Sequence, residues 1–466
     1  MRVLFVISPS FAHLYPIVPL VRAMEGAGHE VVVGAHSCFA ESIAGNGLSA
    51  VSFGAPGAHE ARLADDAVHP KHPDVVNHYA DVLGLGPADA EHWYALYQYL
   101  LQPITDYLRM DRPELGDLVE FARSWKPDLV LWDPTIPAGA IAARVSGAAH
   151  ARMLLGLDYF AWSLDKLAER GDALRAAGLS ANPIADLTRP VADHYGVRLD
   201  DELMYGQWTV DPFPAGLQLP SGVERVRCQA VPFSGGGVMP EWLQEQPDKP
   251  RVAFSLGEST RRFIPGDWDR TPKLLEAVAG LDVEVVATLN AAQLTDVAAL
   301  PGNVRAVDWV PLTQLMPTCS GIIHHGGIGT FTAAMATAVP QLVCDTDESV
   351  LMRVADGNGD LGTYQPGSEY GVRERDDLGE EAIPWVLPAK KLEATPCSNF
   401  IAQREAGIRL DHRAGTVAQL REQIGAVVED PKFRAGAEAL HREWQDTPSP
   451  AEIVPLLEKL TNERRG

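Results

Sequence analysis

The sequence predicts an α/β protein of two parallel-sheet domains facing each other across a cleft. Three observations predict it. Apolar, β-branched runs alternate with helical stretches in the first half of the chain and again over residues 251–346. A Pro- and Gly-rich stretch separates the two series. The second series carries a glycine-rich turn between a strand and a helix, a place where α/β sheets bind ligands.

In chain order, RVLFVIS (2–8) is a continuous apolar run, as a strand buried on both faces requires. PIVPLVRAMEGAG (16–28) reads as a helix with Pro16 early and Gly26 and Gly28 at its end. EVVVGA (30–35) completes a βαβ unit, and strands follow at 48–54, 128–133 and 150–155, with a helix at 138–147. Residues 55–125 break this rhythm with His-, Trp- and Tyr-rich loops and amphipathic helices, which are expected over one sheet edge where a substrate pocket could lie. The second series has strands at 251–257, 283–289, 304–310, 321–327 and 340–346. Residues 348–391 are charged, Gly-rich and irregular and read as an insertion. The chain ends on an amphipathic helix, 448–460, opened by Ser449 and Pro450.

Composition narrows the function. The chain has 466 residues, 46% hydrophobic and 22% charged, which argues against disorder. A net charge of −23 repels phosphate backbones, so nucleic-acid binding is not expected. No apolar run reaches the roughly 18 residues of a membrane span, and MRVLFVISPS reads as a strand rather than a signal peptide. Five scattered cysteines without a CxxC pair argue against a disulfide framework or zinc site and fit the cytoplasm.

Four segments could carry chemistry. GIIHHGGIGTFTAA (321–334) is strand, turn and helix. Its glycines let a backbone approach an anion, and the helix N-terminus favours a phosphate. His325, Gly326, Gly327, Gly329 and Thr330 are the candidates; a tight turn with a surface His pair is the alternative. Adjacent strand residues point to opposite faces, which disfavours a metal held by His324 and His325 together. FSLGEST (254–260) offers Ser255, Gly257, Ser259 and Thr260 as a second phosphate turn, or as a plain turn. SPSFAHLYP (8–16) lacks GxGxxG but has His13, a general-base candidate if Asp133, ending a strand on the same sheet edge, orients it. A lone loop histidine is otherwise structural. In DWVPLTQLMP (308–317), Trp309 could stack on a nucleobase or sit in the core.

These features in this order resemble a GT-B glycosyltransferase, with two Rossmann-like domains, of the nucleotide-sugar-dependent type found in plant and macrolide glycosylation. LVEFARSWKPDLVLWDPTIPAGAIAARVSGAAHARML (118–154), GQWTVDPFPAGLQL (206–219) and VPLTQLMPTCSGIIHHGGIGT (310–330) are similar to actinobacterial, activator-dependent enzymes that attach deoxysugars to polyketides. The resemblance implies that His13 deprotonates the acceptor hydroxyl and Asp133 supports it. It implies that His325, Gly327, Gly329 and Thr330 hold a diphosphate, with Ser255 and Gly257 beside it and Trp309 against the base. The donor would be a TDP-deoxysugar or aminodeoxysugar, the reaction a metal-free inverting displacement, and the acceptor a polyketide aglycone, in an apolar pocket that the irregular region 55–110, with Trp93, Tyr94 and Tyr97, would shape. A cytochrome-monooxygenase-like auxiliary activator and a homodimer are the protein partners it allows.

Residues 1–215 would form the acceptor domain, 216–235 a linker, 236–440 the donor domain with the insertion, and 441–466 a helix returning to the first domain. The chain departs from the family after PQLVCDT, where a Trp-Asp or Asp-Gln element that contacts the sugar is expected. Counting back from AGIRL (406–410) puts Leu392-Glu393 there, making Glu393 the sugar-contact candidate, with Asp345 and Asp347 as rivals. The insertion itself reads as a donor cover, a partner contact or a surface loop. The rival functions are a non-catalytic GT-B-like partner of another transferase and a GT-B sugar-nucleotide epimerase; an intact His13–Asp133 pair and the macrolide-type stretches speak against them.

Overall fold

A computed structural model of the chain describes residues 1–55, 73–96, 104, 107–257, 270–346, 351–354, 385–388 and 393–465, with backbone alone for 73–75, 77, 94, 351–354 and 385–388. Two parallel sheets organise it. The first has seven strands: β1 (Arg2–Val6), β2 (Glu30–His36), β3 (Ala50–Phe53), β4 (Leu129–Trp132), β5 (Ala149–Met153), β6 (Thr209–Asp211) and β7 (Arg225–Arg227). Their order is β3-β2-β1-β4-β5-β6-β7. The second has β8 (Arg251–Ser255), β9 (Glu284–Thr288), β10 (Val304–Val307), β11 (Gly321–His324), β12 (Gln341–Cys344) and β15 (Gly407–Leu410), in the order β10-β9-β8-β11-β12-β15. Both orders reverse direction once, between β1 and β4 and between β8 and β11. Ligands of such sheets bind at those points, beyond the carboxyl ends of the strands.

The strands form because their apolar residues are covered on both faces. Leu129, Val130, Leu131 and Trp132 of β4 are all fully buried, each Leu or Val worth about 1.5–3 kcal/mol on leaving water. Register sets the site: Val6 of β1 lies opposite Trp132 of β4, so the residues leaving both strands emerge side by side. In the second sheet His324 of β11 lies opposite Ser255 of β8, which brings the two turns after these strands together.

Residues 225–227, expected inside the linker, instead add β7 to the first sheet. Arg225 on this strand pairs with the buried Asp211 at 3.0 Å, which offsets the Pro/Gly composition around it. The chain then crosses between the domains beside its own return path. Gln229 Nε2 donates to the Trp444 carbonyl at 3.0 Å, and Trp444 Nε1 donates to the Ala230 carbonyl at 2.7 Å. The last helix, Pro450–Arg464, packs Ile453, Val454, Leu457 and Leu460 into the core under β1. Within the expected insertion, β13 (Leu351–Val354) and β14 (Trp385–Pro388) form an antiparallel two-stranded sheet, and the β14 backbone lies against the helix Pro87–Ala95. All five cysteines are free thiols. Among the described residues, no helix is long and apolar enough to cross a membrane.

Candidate active site

The residues leaving β1 and β4 build one half of the site. Ser10 caps a short helix, Phe11–Leu14, accepting the Ala12 N–H at 3.2 Å, and this helix carries His13. Asp133 directly follows β4, its own N–H tied to the Val6 carbonyl at 2.9 Å. His13 Nδ1 and Asp133 Oδ2 are hydrogen-bonded. Two backbone N–H groups hold the same carboxylate, Ser8 to Oδ2 at 3.1 Å and Thr135 to Oδ1 at 2.8 Å. The Asp133 side chain is 1% exposed and that of His13 is 27% exposed, so the carboxylate is sealed while the imidazole keeps an open edge. Burial pulls the His13 imidazole down, but the Asp133 charge and hydrogen bond, with Glu393, outweigh it and raise its pKa above the ordinary value. Burial acts upward on Asp133 too, but His13 and the two N–H groups hold it below the carboxylate range.

The turns after β8 and β11 build the other half. His324 points into the core: its Nδ1 accepts the Gly326 N–H at 3.2 Å and its Nε2 donates to Gln341 Oε1 at 3.1 Å. Burial first, and the neighbouring His325, push its pKa down to about 3, so it is neutral. His325 instead turns toward Gly257 and Gly327. Its imidazole lies in a slot between two glycines. A Cβ on Gly257 would come within 2.3 Å of this ring, and one on Gly327 within 2.2 Å. Gly257 also has φ +83°, where a side chain is strained. Burial, then the Arg270 charge, push His325 down to about 4. Its Nδ1 is buried without a hydrogen-bond partner among the described residues.

Gly327 is the N-cap of the helix Ile328–Ala336 and provides no side-chain oxygen to its first turn. Thr330, largely buried, and Gly329, exposed, lie in that turn. A helix start whose own N-cap residue offers no side-chain oxygen, beside a neutral imidazole, is suited to an anion. Ser255, 7% exposed, ends β8 beside His325. Trp309 is 49% exposed after β10, its ring against Gly237.

Glu393 joins the halves. Its Oε2 accepts the Ile328 N–H at 3.1 Å, while its Oε1 reaches the first domain, where a Cβ on Gly156 would stand 2.3 Å away. Burial pushes its pKa up to about 7, against the pull of the Ile328 and Leu157 backbone N–H groups and of His13. Since the folded value lies above the ordinary 4.5, the stability tied to the neutral form is complete below about pH 4.5 and is lost as pH rises through about 7. The residue keeps some exposure, so this amounts to the order of 2 kcal/mol, less than the roughly 3 that full burial would imply. Between about pH 4 and pH 8 the wild type should therefore lose roughly 2 °C more in melting temperature than Glu393→Gln. Parallel melting curves would refute this placement of the carboxyl.

Other expected residues fall elsewhere. Trp93 is fully buried, its Nε1 donating to the Val76 carbonyl at 3.2 Å and its ring 5.8 Å from Tyr79, so it is a core residue and not an acceptor contact. The Tyr94 side chain, Tyr97, Ser259, Thr260 and Asp347 lie outside the described residues. Asp345 is 1% exposed and turned onto the helix Ala394–Gln403, so it does not rival Glu393 for the cleft. The Thr135 N–H escaped the sequence reading, although Asp-x-Thr after a strand is the signature of an Asx turn. Gly156 left no signal, because its role is space for a residue distant in sequence. Among the described residues, no three His, Cys, Asp or Glu side chains gather as metal ligands.

Comparison with known proteins places this geometry. Residues 22–257 match the N-terminal domain of the erythromycin biosynthesis protein CIII-like family, and residues 272–359 match its C-terminal domain. The chain is 35% identical to 10-deoxymethynolide desosaminyltransferase of Streptomyces venezuelae, over 100% of this chain and 98% of that protein. It is 36% identical to aclacinomycin-T 2-deoxy-L-fucose transferase of Streptomyces galilaeus, over 100% and 97%. The glycosyltransferase VinC, solved in complex with DTDP, superposes with a TM-score of 0.73 at 31% identity, over 99% of this chain and 100% of that one. With both family domains matched in order and relatives spanning its whole length, the chain belongs to the erythromycin biosynthesis protein CIII-like family and is a glycosyltransferase of the GT-B fold.

Proposed function

We propose that this enzyme moves a deoxysugar from a TDP-sugar to a hydroxyl of a polyketide aglycone, inverting the anomeric carbon. The observation that carries the reading is the His13–Asp133 pair at the switch point of one sheet, joined through Glu393 to the His325 slot at the switch point of the other. The acceptor O–H gives its proton to His13 Nε2, since Nδ1 is engaged by Asp133. The acceptor oxygen attacks the anomeric carbon as its bond to the diphosphate breaks, and a single displacement inverts the centre. His325 and the positive end of the helix Ile328–Ala336, whose Ile328 N–H is held by Glu393, receive the charge that develops on the leaving diphosphate. Ser255, Gly257, Gly327, Gly329 and Thr330 shape that cradle, Trp309 stacks on thymine, and Glu393 meets the sugar.

The relatives named for desosamine and 2-deoxy-L-fucose support a deoxysugar donor, and an aminodeoxysugar is within the same class. The leaving group is stabilised by hydrogen-bond donors, so the proposal includes no metal and no other cofactor. It also includes a cytochrome-monooxygenase-like activator, a homodimer and a cytoplasmic location, the last in keeping with five free thiols.

Calorimetric titration with TDP and UDP, with and without EDTA, tests the donor site. TDP should bind at micromolar Kd, about tenfold tighter than UDP (roughly 1.4 kcal/mol), and EDTA should change neither value. Loss of TDP binding in EDTA would overturn the metal-free reading, and equal affinity for both nucleotides would overturn the TDP assignment.

A further inference from the structure

We propose that Asp345 is a positioning residue that fixes where the chain re-enters the donor domain and so presents Glu393 to the cleft. The inference rests on the reading of Glu393 as the sugar contact. The chain leaves the second sheet at the end of β12 and re-enters the domain at Glu393, before the helix Ala394–Gln403 that leads to β15, with residues 347–392 between. Ends joined by so long a segment are not brought to one place by the segment itself. A buried carboxylate at the end of β12 links them here.

Asp345 directly follows β12. Its Oδ1 accepts the Thr395 hydroxyl at 3.0 Å and its Oδ2 accepts the Ser398 hydroxyl at 2.9 Å. These residues are three apart in the helix Ala394–Gln403 and therefore share a face. Arg409 of β15 pairs with the same Oδ2 at 3.2 Å, so the buried charge is balanced within the sheet that carries it. Glu393 is the residue immediately before this helix, and its carbonyl accepts the Cys397 N–H at 2.8 Å as the first helical bond. From the opposite side Gly326 closes on the same point: a Cβ there would stand 2.5 Å from Ala394 Cα. The helix start is held between the Asp345 carboxylate and the anion-binding turn, with Glu393 at their junction. Asp345 touches neither Glu393 nor the cradle around His325; it acts through the helix.

The test separates binding of the nucleotide from binding of the sugar. Asp345→Asn keeps the volume but replaces an acceptor oxygen with an amide that competes for the hydroxyls. Thr395→Val with Ser398→Ala removes the same contacts from the helix side and leaves the Asp345–Arg409 pair intact, so the question survives if the first variant folds poorly. In both, KM for the TDP-sugar should rise about tenfold while kcat changes less than about threefold. Kd for TDP alone should stay within about twofold. Glu393→Gln should raise KM by a similar factor, and adding Asp345→Asn to it should raise KM no further, because both act at one contact. Additive losses in the double variant, or equal losses for TDP and TDP-sugar, overturn the role of Asp345. Unchanged KM in Glu393→Gln alone overturns the sugar-contact reading on which it stands.

Discussion

His13→Ala is expected to lower kcat by about 10²- to 10⁴-fold, the range for losing a positioned general base, while TDP binds as before. The reason is the division of labour on the ring. Nδ1 is committed to Asp133, whose carboxylate is also held by the Ser8 N–H on the same oxygen and the Thr135 N–H on the other. The tautomer is therefore fixed and Nε2 is the basic nitrogen. Removing the ring takes away the proton acceptor but no group around His325. The sign of the pH dependence follows from the same bond. The Asp133 charge raises His13 above its ordinary 6.5, and the reactive form is the neutral one. Transfer should then rise with pH and level off above a midpoint higher than 6.5. Asp133→Asn should move that midpoint down and lower kcat, because the neutral amide neither raises the imidazole nor stabilises the imidazolium formed during transfer. A pH profile of kcat/KM for both variants checks this. A wild-type limb that survives unshifted in Asp133→Asn would mean another group is the base.

This half of the site was legible in the sequence because it depends on strand order. An apolar run ending at Ser8 and another ending at Asp133 give two parallel strands, and parallel strands in one sheet put their carboxyl ends on one edge. What remained was adjacency, which β1 and β4 supply. The His324–His325 pair was legible in the same way, since alternation sends one ring to Gln341 and the other to the glycine slot.

The misses have a different physical origin. Trp93 lies in a helix with aromatic residues at neighbouring positions, and periodicity does not say whether a given ring faces a core or a ligand. The Val76 carbonyl that satisfies its indole N–H comes from another helix. The three-residue strand β7 is shorter than any periodic signal, and the pairing of Arg225 with the buried Asp211 holds it. Counting back from the β15 strand located Glu393, but not its bridge to the first domain. That bridge depends on Gly156, a residue whose contribution is the absence of a side chain.

Gly257→Ala should raise Kd for TDP about 30- to 100-fold, and kcat/KM should fall about 10²- to 10³-fold, the loss typical of one removed donor to a developing anion. The substitution adds one methyl group, and its reach is short. That carbon would lie 2.3 Å from His325 Cε1 and 2.5 Å from Nε2, so the imidazole must leave its slot. The backbone at φ +83° adds roughly 1–2 kcal/mol of strain of its own. His325→Ala should reach a similar loss by deleting the ring. The informative comparison is the double variant. If the methyl acts by displacing the imidazole, Gly257→Ala on a His325→Ala background has no ring left to move, and only the strain should remain, less than about thirtyfold. Full additivity would mean that Gly257 meets the diphosphate through its own backbone, independently of His325. The same pair of variants separates the two halves of the reaction. His325 is neutral because burial and the Arg270 charge hold it near 4. A diphosphate beside it reverses that balance by supplying the opposite charge. NMR titration of the His325 ring with and without TDP should therefore move its pKa upward, with His13 as the internal control, since its partner Asp133 is in place before any nucleotide arrives.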